Sequence, residues 1–398
     1  MKKSINLLNI FWYIEAIAFL FPSGFDIYFP EYKKIGTIIL FFALVLGVLR
    51  ILYEAIISSH RVTFNIVIGL VLLYHLALLI ITLHIQGSIT EGFNKIFSVP
   101  IICLLLHYDC KKNMRSVINA FSKVLIMIFL LNILVFNQWF FKSYFLVDNH
   151  IIFIGHVQIA SELGLLGILI AYVESKVNGG KFDGIILLVL SIITMLYSKT
   201  SASYLTLGIL IIAWIFKKNI LVRDIVNKYT GLIVLFLTLM SIYLVFNNWM
   251  KEDLDTFRLV TNLTSGRTYV WIDGVRLFRQ SSLIGYGAYG FKIVTFWSKW
   301  TNGGVGMSYA HSTLLQLLLD GGITLASIFV VMIFIVIKKE KNSMVNDECK
   351  YLSYVLLIAF LAVGLFESLT EYCYIFIFLL LMLNLENAKV LRKRIILK

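Results

Sequence analysis

The sequence predicts an all-α protein that crosses a membrane about twelve times and forms one integral membrane domain over residues 1–398. Composition is the first observation: 60% of the residues are hydrophobic and only 14% are charged, whereas soluble domains carry about 25% charged residues. Apolar runs of roughly 17–25 residues recur, which is the length that crosses a bilayer. Because lipid offers the backbone no hydrogen-bond partner and the alternation of barrel strands is absent, the spans are predicted to be helices.

The apolar runs can be assigned to spans in chain order. The fourth and seventh runs are short, and Pro100 is expected to kink the fourth. The predicted spans are 6–22, 35–53, 62–86, 95–108, 116–136, 151–173, 184–198, 202–216, 230–249, 311–337, 352–367 and 372–388.

Lysine and arginine orient these spans, because cytoplasmic loops are enriched in both. With the N-terminus inside, 22 of the 35 basic residues fall in inside segments, and the short outside loops hold few. Both termini are therefore predicted to be cytoplasmic, and residues 250–310 to form one large extracytoplasmic loop. The net charge of +13 is spread over the loops of one side, so nucleic acid is not expected as a partner.

The large loop carries seven basic residues on the side where positive charge is normally sparse. One interpretation is a solvated surface, because long loops escape the charge rule. The other is a basic, aromatic-rich roof that binds an anionic head group. In that interpretation the candidate binding residues of the loop are Arg258, Arg276, Tyr286 and Tyr309.

Helical spacing in the loop predicts an amphipathic helix from Arg267 to Phe278, capped by Thr264 or Ser265. Trp271 belongs to its apolar face, and polar residues such as Arg276 belong to the other face. Arg267 falls in the middle of the apolar face, at a helix start that favours anions. A guanidinium there can bind a diphosphate through two parallel hydrogen bonds, although an arginine that only snorkels to water is the alternative.

His311 opens the tenth span directly beneath the loop, where it is either structural or a general base. Lys199 lies in a very short outer turn and is a candidate for a further cation. Glu367 and Glu371 flank the outer turn between the last two spans and are expected to be solvated or capping acids. The four cysteines lack the spacing of metal ligands, so no metal site is predicted.

Gly285, Gly287 and Gly290 formally match the G-x-G-x-x-G pattern of dinucleotide-binding proteins. No βαβ unit surrounds them, and the loop is predicted to lie away from cytosolic cofactors. The glycines are therefore predicted to make tight turns, and no cofactor is expected.

The loop resembles the signature of the O-antigen ligase and Wzy-type polysaccharide polymerase superfamily. The resemblance rests on Ser265-Gly266-Arg267-Thr268-x-x-Trp271, on Leu283-Ile284-Gly285-Tyr286-Gly287 and on His311-Ser312-x-x-Leu315-x-x-x-x-Asp320-x-Gly322. It covers about 265–322. Ser282, Ser312 and Asp320 depart from the usual proline, asparagine and glutamate, and Lys199 stands where an arginine is often found.

The resemblance implies a GT-C-like, metal-independent glycosyltransferase of the bacterial cytoplasmic (inner) membrane. Its donor would be a glycan on polyprenyl diphosphate, and its protein partners would include a flippase and a chain-length regulator. The chemistry then needs a cation for the leaving diphosphate, for which Arg267 is the first candidate and Arg258, Arg276 and Lys199 are helpers. His311 is the candidate base for the acceptor hydroxyl, and a single displacement would invert the anomeric configuration.

Three alternatives to a polymerase remain open from the sequence. A ligase that transfers finished glycan to another acceptor shares the same motifs. A transporter or flippase for lipid-linked sugars predicts repeated halves and broken helices in matching positions, of which the sequence shows no sign. A membrane scaffold without activity would leave the placement of Arg267 unexplained.

Overall fold

The computed structural model describes residues 7–26, 29–57, 65–85, 87–135, 151–179, 181–247, 254–295 and 306–391. Most of these residues lie in α-helices. The predicted positions of the termini fall on residues 1–6 and 392–398, which lie outside the described residues. So do residues 250–253 and 296–305 of the large loop.

The helices follow one another in the order of the predicted spans. They are α1 (Leu7–Phe19), α2 (Pro30–Ile57), α3 (Ile66–His84), α4 (Ile89–Phe93), a π-helical turn (Asn94–Ser98), α5 (Val99–Val135), α6 (Ile159–Val177), α7 (Lys181–Ser198), α8 (Ser201–Phe216), α9 (Ile220–Phe246), α10 (Leu254–Leu263), α11 (Arg267–Gln280), α12 (Thr313–Asn342), α13 (Asp347–Val363) and α14 (Tyr374–Asn384). Short 3₁₀ turns cover Leu369–Glu371, Leu385–Asn387 and Lys389–Leu391. A two-residue antiparallel pair joins β1 (Ile151–Ile152) to β2 (Gly155–His156).

The prediction of a multi-pass helical membrane protein is confirmed. Among the described residues, five helices are long and apolar enough to cross a membrane by length and composition. They are Glu31–Ile56, Ile66–His84, Ile89–Leu134, Ile220–Phe246 and Thr313–Asn342. Shorter apolar helices precede, separate and follow them in the chain, at the positions of several other predicted spans.

The stretch Ile89–Leu134 is longer than one crossing needs. Its 46 residues would extend about 70 Å as a straight helix, against a hydrocarbon core of about 30 Å. The helix breaks at Asn113, where φ is −150° and ψ is 68°, so the break lies at Asn113 and not at Pro100. The predicted fourth and fifth spans lie on either side of it.

Basic segments that were predicted on one side of the membrane contact one another at one end of the bundle. Arg50 of α2 lies 3.3 Å from Asp109 of α5, and Arg115 donates to the side chain of Asn178 after α6 at 2.9 Å. Asn227 of α9 likewise reaches the start of α13. The predicted sidedness of these segments is therefore mutually consistent in three dimensions.

The large loop packs on the other end of the bundle through a small apolar cluster. Trp271 of α11 is fully buried there, together with Phe291 of the loop and Leu315 and Leu319 of α12. Gly274 allows α11 to approach closely, since a Cβ at this position would lie 2.7 Å from the Leu315 side chain. The part of the loop that contains α11 is thus fixed to the first turns of α12.

The predicted glycine turn forms main-chain hydrogen bonds to a break in α12. Gly322 has φ of 63° and ψ of −160° and interrupts the helix, so nearby carbonyls lose their helical partners. The main-chain N–H of Tyr286 donates to the oxygen of Leu319 at 2.7 Å, and that of Gly287 donates to Asp320 at 2.8 Å. The prediction of tight turns is confirmed, because Gly285 and Gly287 have φ of 63° and 81°.

Candidate active site

Helix α11 carries Arg267 as its first residue. Trp271 and Gly274 are buried and Arg276 is exposed, as the helical spacing predicts. The indole N–H of Trp271 donates to the main-chain oxygen of His311 at 3.2 Å, and the ring stacks on Phe366. The helix that carries the arginine is therefore tied directly to the segment that carries the histidine.

The predicted cap of this helix is wrong. Its N-cap is Gly266, with φ of 83°, and no side chain caps the helix. Ser265 also has a positive φ, of 52°, and this left-handed pair turns the chain between α10 and α11. As a result the Thr264 hydroxyl points back to the oxygen of Thr261 at 3.4 Å.

Arg267 forms an ion pair with Glu367 beneath the loop. Its Nη2 lies 2.5 Å from Glu367 Oε1, and its Nη1 donates to the main-chain oxygen of Thr264 at 3.0 Å. The side chain is 11% exposed. Its Nε–H is buried and has no hydrogen-bond partner among the described residues.

Glu367 is fully buried, so the expectation of a solvated or capping acid is wrong. While Oε1 accepts from Arg267, Oε2 accepts from the Tyr309 hydroxyl at 3.2 Å. Burial, followed by the nearby Glu367 and Glu162 carboxylates, raises the pKa of Tyr309 well above its usual range. The phenol therefore keeps its proton and remains a donor to Glu367.

His311 lies against the same carboxylate. Its Nδ1 is 3.6 Å from Glu367 Oε2, and its side chain is 22% exposed. The ring meets Tyr309 edge-on with 4.6 Å between centroids, and the backbone has φ of 49°. We call this group the Glu367 cluster, and its members are Arg267, Tyr309, His311 and Glu367. The cluster contains three predicted site residues and one, Glu367, that was not predicted.

The turn that carries Glu367 is fixed to the start of α12. The Thr313 hydroxyl donates to the main-chain oxygen of Glu367 at 2.8 Å and accepts from the N–H of Leu369 at 3.1 Å. The N–H of Ser368 donates to the Tyr309 hydroxyl at 3.1 Å. These contacts hold the buried carboxylate in one position relative to His311.

A second buried group of polar residues lies beside the first. Lys95, in the π-helical turn, has its Nζ 2.5 Å from both Asp320 Oδ2 and Glu371 Oε1. Gln316 donates to Asp320, and the Tyr289 hydroxyl donates to Glu371 at 3.2 Å. These five residues, the Lys95 cluster, join the loop, α12 and the turn before α14.

A comparison with known protein families gives a match for the segment that contains most of this site. Residues 186–330 match the family model described as O-antigen ligase. This segment is an O-antigen ligase family domain. No curated protein and no solved structure matches the chain. The matched segment supports a membrane glycan-processing enzyme of the ligase or polymerase type, and the family implies lipid-linked glycans as substrates.

The O-antigen ligase domain contains Arg267, the glycine turn, Tyr309 and His311, but the clusters extend beyond it. Lys95, Glu367 and Glu371 lie outside residues 186–330. Sequence reasoning did not assign these three to a site. A usable signal was present, because ionisable side chains within or beside membrane spans are costly unless partnered, and partners imply a shared site.

Four other predicted site residues of the domain lie outside the Glu367 cluster. Arg258 on α10 and Lys199 in the turn between α7 and α8 are exposed, and Arg276 pairs with Asp273 at 2.6 Å. Tyr286 donates its hydroxyl to the oxygen of Leu277 at 2.8 Å, which fastens the glycine turn to the end of α11. Within the described part of the chain, no side-chain hydrogen bond or ion pair links any of these four to Arg267 or His311.

Proposed function

We propose that this protein is a polysaccharide polymerase at the outer face of the bacterial cytoplasmic membrane. It joins oligosaccharide repeat units carried on polyprenyl diphosphate by inverting glycosyl transfer without a metal ion. The observation that carries the proposal is that Arg267 and His311, from two separate elements of the O-antigen ligase domain, face the same buried carboxylate. A fixed cation and an imidazole at one site are the two groups that this reaction requires.

The reaction exchanges one bond at the anomeric carbon of the donor sugar. The bond between that carbon and the diphosphate oxygen breaks, and a bond to the acceptor hydroxyl oxygen forms on the opposite face. The acceptor proton passes to His311 Nε2, and the diphosphate leaves with an additional negative charge. Arg267 supports that charge through its guanidinium, which is 11% exposed.

An apolar groove supports a lipid-linked substrate. It runs between α9, α12 and α13, with Thr313 and Gly364 at the end near the Glu367 cluster and Leu317, Phe329 and Ile333 further along. Since the Thr313 hydroxyl also donates to the main-chain oxygen of Glu367, the groove adjoins the turn that carries the polar site. A polyprenyl diphosphate has this same order of parts, a hydrocarbon chain that ends in an anionic group.

A ligase is the second candidate, and the description of the matched family favours it. In that reaction the same donor chemistry transfers finished polymer to a different acceptor. Deletion of the gene separates the two activities. Single repeat units left on their anchor indicate a polymerase, whereas lipid-linked polymer that never reaches an acceptor indicates a ligase.

The proposed roles can be tested with two variants and two controls in the deletion strain. Arg267→Ala and His311→Ala should still insert and should reduce polymer formation, normalised to the amount of inserted protein, by about 100-fold or more, seen as loss of the glycan ladder. Arg279→Ala and His84→Ala change exposed side chains of the same types and should retain the ladder. A ladder of full length from either Arg267→Ala or His311→Ala would contradict the assigned role.

A further inference from the structure

Glu367 has the features of a group that orients another side chain. It is a fully buried carboxylate, and such a group is costly unless donors compensate it. Both carboxylate oxygens accept hydrogen bonds, Oε1 from Arg267 at 2.5 Å and Oε2 from the Tyr309 hydroxyl at 3.2 Å. Its main chain is held separately through Thr313. The carboxylate is therefore fixed before any ligand arrives.

The ring of His311 presents one nitrogen to this fixed carboxylate. Nδ1 lies 3.6 Å from Glu367 Oε2 and makes no hydrogen bond with another described residue. Hydrogen bonds of this kind are often long without substrate and shorten in the reacting complex. A proton on Nδ1 would point to the carboxylate and leave the lone pair of Nε2 to accept the proton of the acceptor.

We propose that Glu367 is the positioning residue for His311 in the transfer reaction. It fixes the neutral tautomer with its proton on Nδ1, and it stabilises the imidazolium that forms when Nε2 takes the acceptor proton. No proton moves to Glu367 in this step. The inference rests on the proposed function and adds a residue that lies outside the O-antigen ligase domain.

Among the described residues, other charged and titratable groups near His311 and Tyr309 come from α11, the loop, α6 and the turn before α14. Arg267 approaches from α11, and Tyr309 precedes the histidine in the loop. Glu162 of α6 and Tyr372, in the turn before α14, interact electrostatically with Tyr309. Of these groups Glu367 is the one in ion-pair range of the ring, so its removal should have the largest effect on protonation of the imidazole.

A purely structural role for Glu367 is the competing explanation. In that case the carboxylate only anchors Arg267, and its loss would lower the amount of folded protein at every pH. An orienting role predicts something more specific. Without the negative charge the imidazolium is less stabilised, so the base stays neutral to lower pH, and the acidic limb of the kcat/KM profile shifts toward lower pH.

The test uses the full-length protein in proteoliposomes with a polyprenyl-diphosphate-linked repeat unit as substrate. We expect Glu367→Gln to lower kcat by about 100-fold or more with little change in KM, and to shift the acidic limb downward. Glu367→Asp should recover part of the rate because it restores the charge. Glu91→Gln is the matched control, since Glu91 is exposed at the same end of the bundle and should behave as wild type.

Several outcomes would overturn the inference. A Glu367→Gln enzyme within threefold of wild type would do so, as would a loss of rate with an unmoved acidic limb. If Glu367→Gln does not fold, Glu367→Asp decides by its rate per folded protein. Its shorter side chain moves the carboxylate away from Nδ1, so the orienting role predicts a lowered rate, and a rate equal to that of wild type would overturn the inference. Full activity of His311→Ala would instead refute the proposed function, which separates the two failures.

Discussion

Arg267 Nη2 and Glu367 Oε1 lie 2.5 Å apart although 100 residues separate them in the chain. The pair connects α11 of the large loop to the turn between α13 and α14. It is almost completely removed from water, since Glu367 is fully buried and Arg267 is 11% exposed. Loss of one partner should therefore be much more damaging than loss of both.

Removal of the Arg267 charge should destabilise the protein through Glu367. We expect Arg267→Ala to cost about 3–5 kcal/mol, because a buried carboxylate is left without its cation. The double variant Arg267→Ala/Glu367→Gln should recover part of this loss and remain inactive. Thermal unfolding in detergent measures the stability of the single and the double variant. A double variant no more stable than Arg267→Ala would contradict the explanation.

Lys95 should be as important for stability as Arg267, because it is the cation of the second cluster. Lys95→Met would leave Asp320 and Glu371 without the ammonium group that lies 2.5 Å from each, at an expected cost of about 3–5 kcal/mol. Addition of Asp320→Asn to this variant should restore some stability. Lys33→Ala, at an exposed position of α2, is the control and should leave the unfolding temperature unchanged.

The glycine turn should not tolerate a side chain at Gly285. Its φ is 63°, and a Cβ there would lie 2.6 Å from the main-chain nitrogen of Gly321, so Gly285→Ala should lower stability by about 1–3 kcal/mol and separate the turn from the break in α12. Gly208→Ala is the control. It lies within α8 with nothing within 4 Å of the added Cβ, so a neutral or slightly stabilising change is expected. Equal effects of the two substitutions would contradict this account.

The hydroxyl of Tyr309 should make stability depend on pH in the alkaline range. Burial and Glu367 raise its pKa well above the usual value, so the folded protein keeps a proton that the unfolded chain loses above about pH 10. The stabilisation is therefore complete below about pH 10 and is lost as the pH rises further. Tyr309→Phe should be less stable than wild type at pH 8, and this difference should narrow by pH 11. Tyr204→Phe, at an exposed position of α8, should show no such narrowing.

Local patterns in the sequence were sufficient to predict the helices and one face of the site. Hydrophobic length gave the order of the helical segments, and spacing of about 100° per residue placed Trp271 inside and Arg276 outside on α11. The same spacing placed Arg267 on the buried side. These features depend on residues that are close in the chain, and for that reason a single sequence contains them.

The contacts that complete the site join distant segments, and no local pattern encodes them. Glu367 looked like a solvated acid because its neighbours in the sequence end a span, yet its partners come from α11 and from the segment before α12. Lys95 is the first residue of the predicted fourth span, and the π-helical turn buries it against α12. The cap of α11 was missed because two positive φ angles, which the residue types did not reveal, reverse the chain there.

The position of Glu367 outside residues 186–330 has a consequence for protein engineering. The matched segment is not a portable module, since a graft of it onto another helical scaffold would carry an arginine without its counter-charge. Chimaeras between relatives should therefore exchange the turn at 364–371 and the helix start at Lys95 together with the segment. A swap that respects only the boundaries of the segment would separate residues that work as one unit.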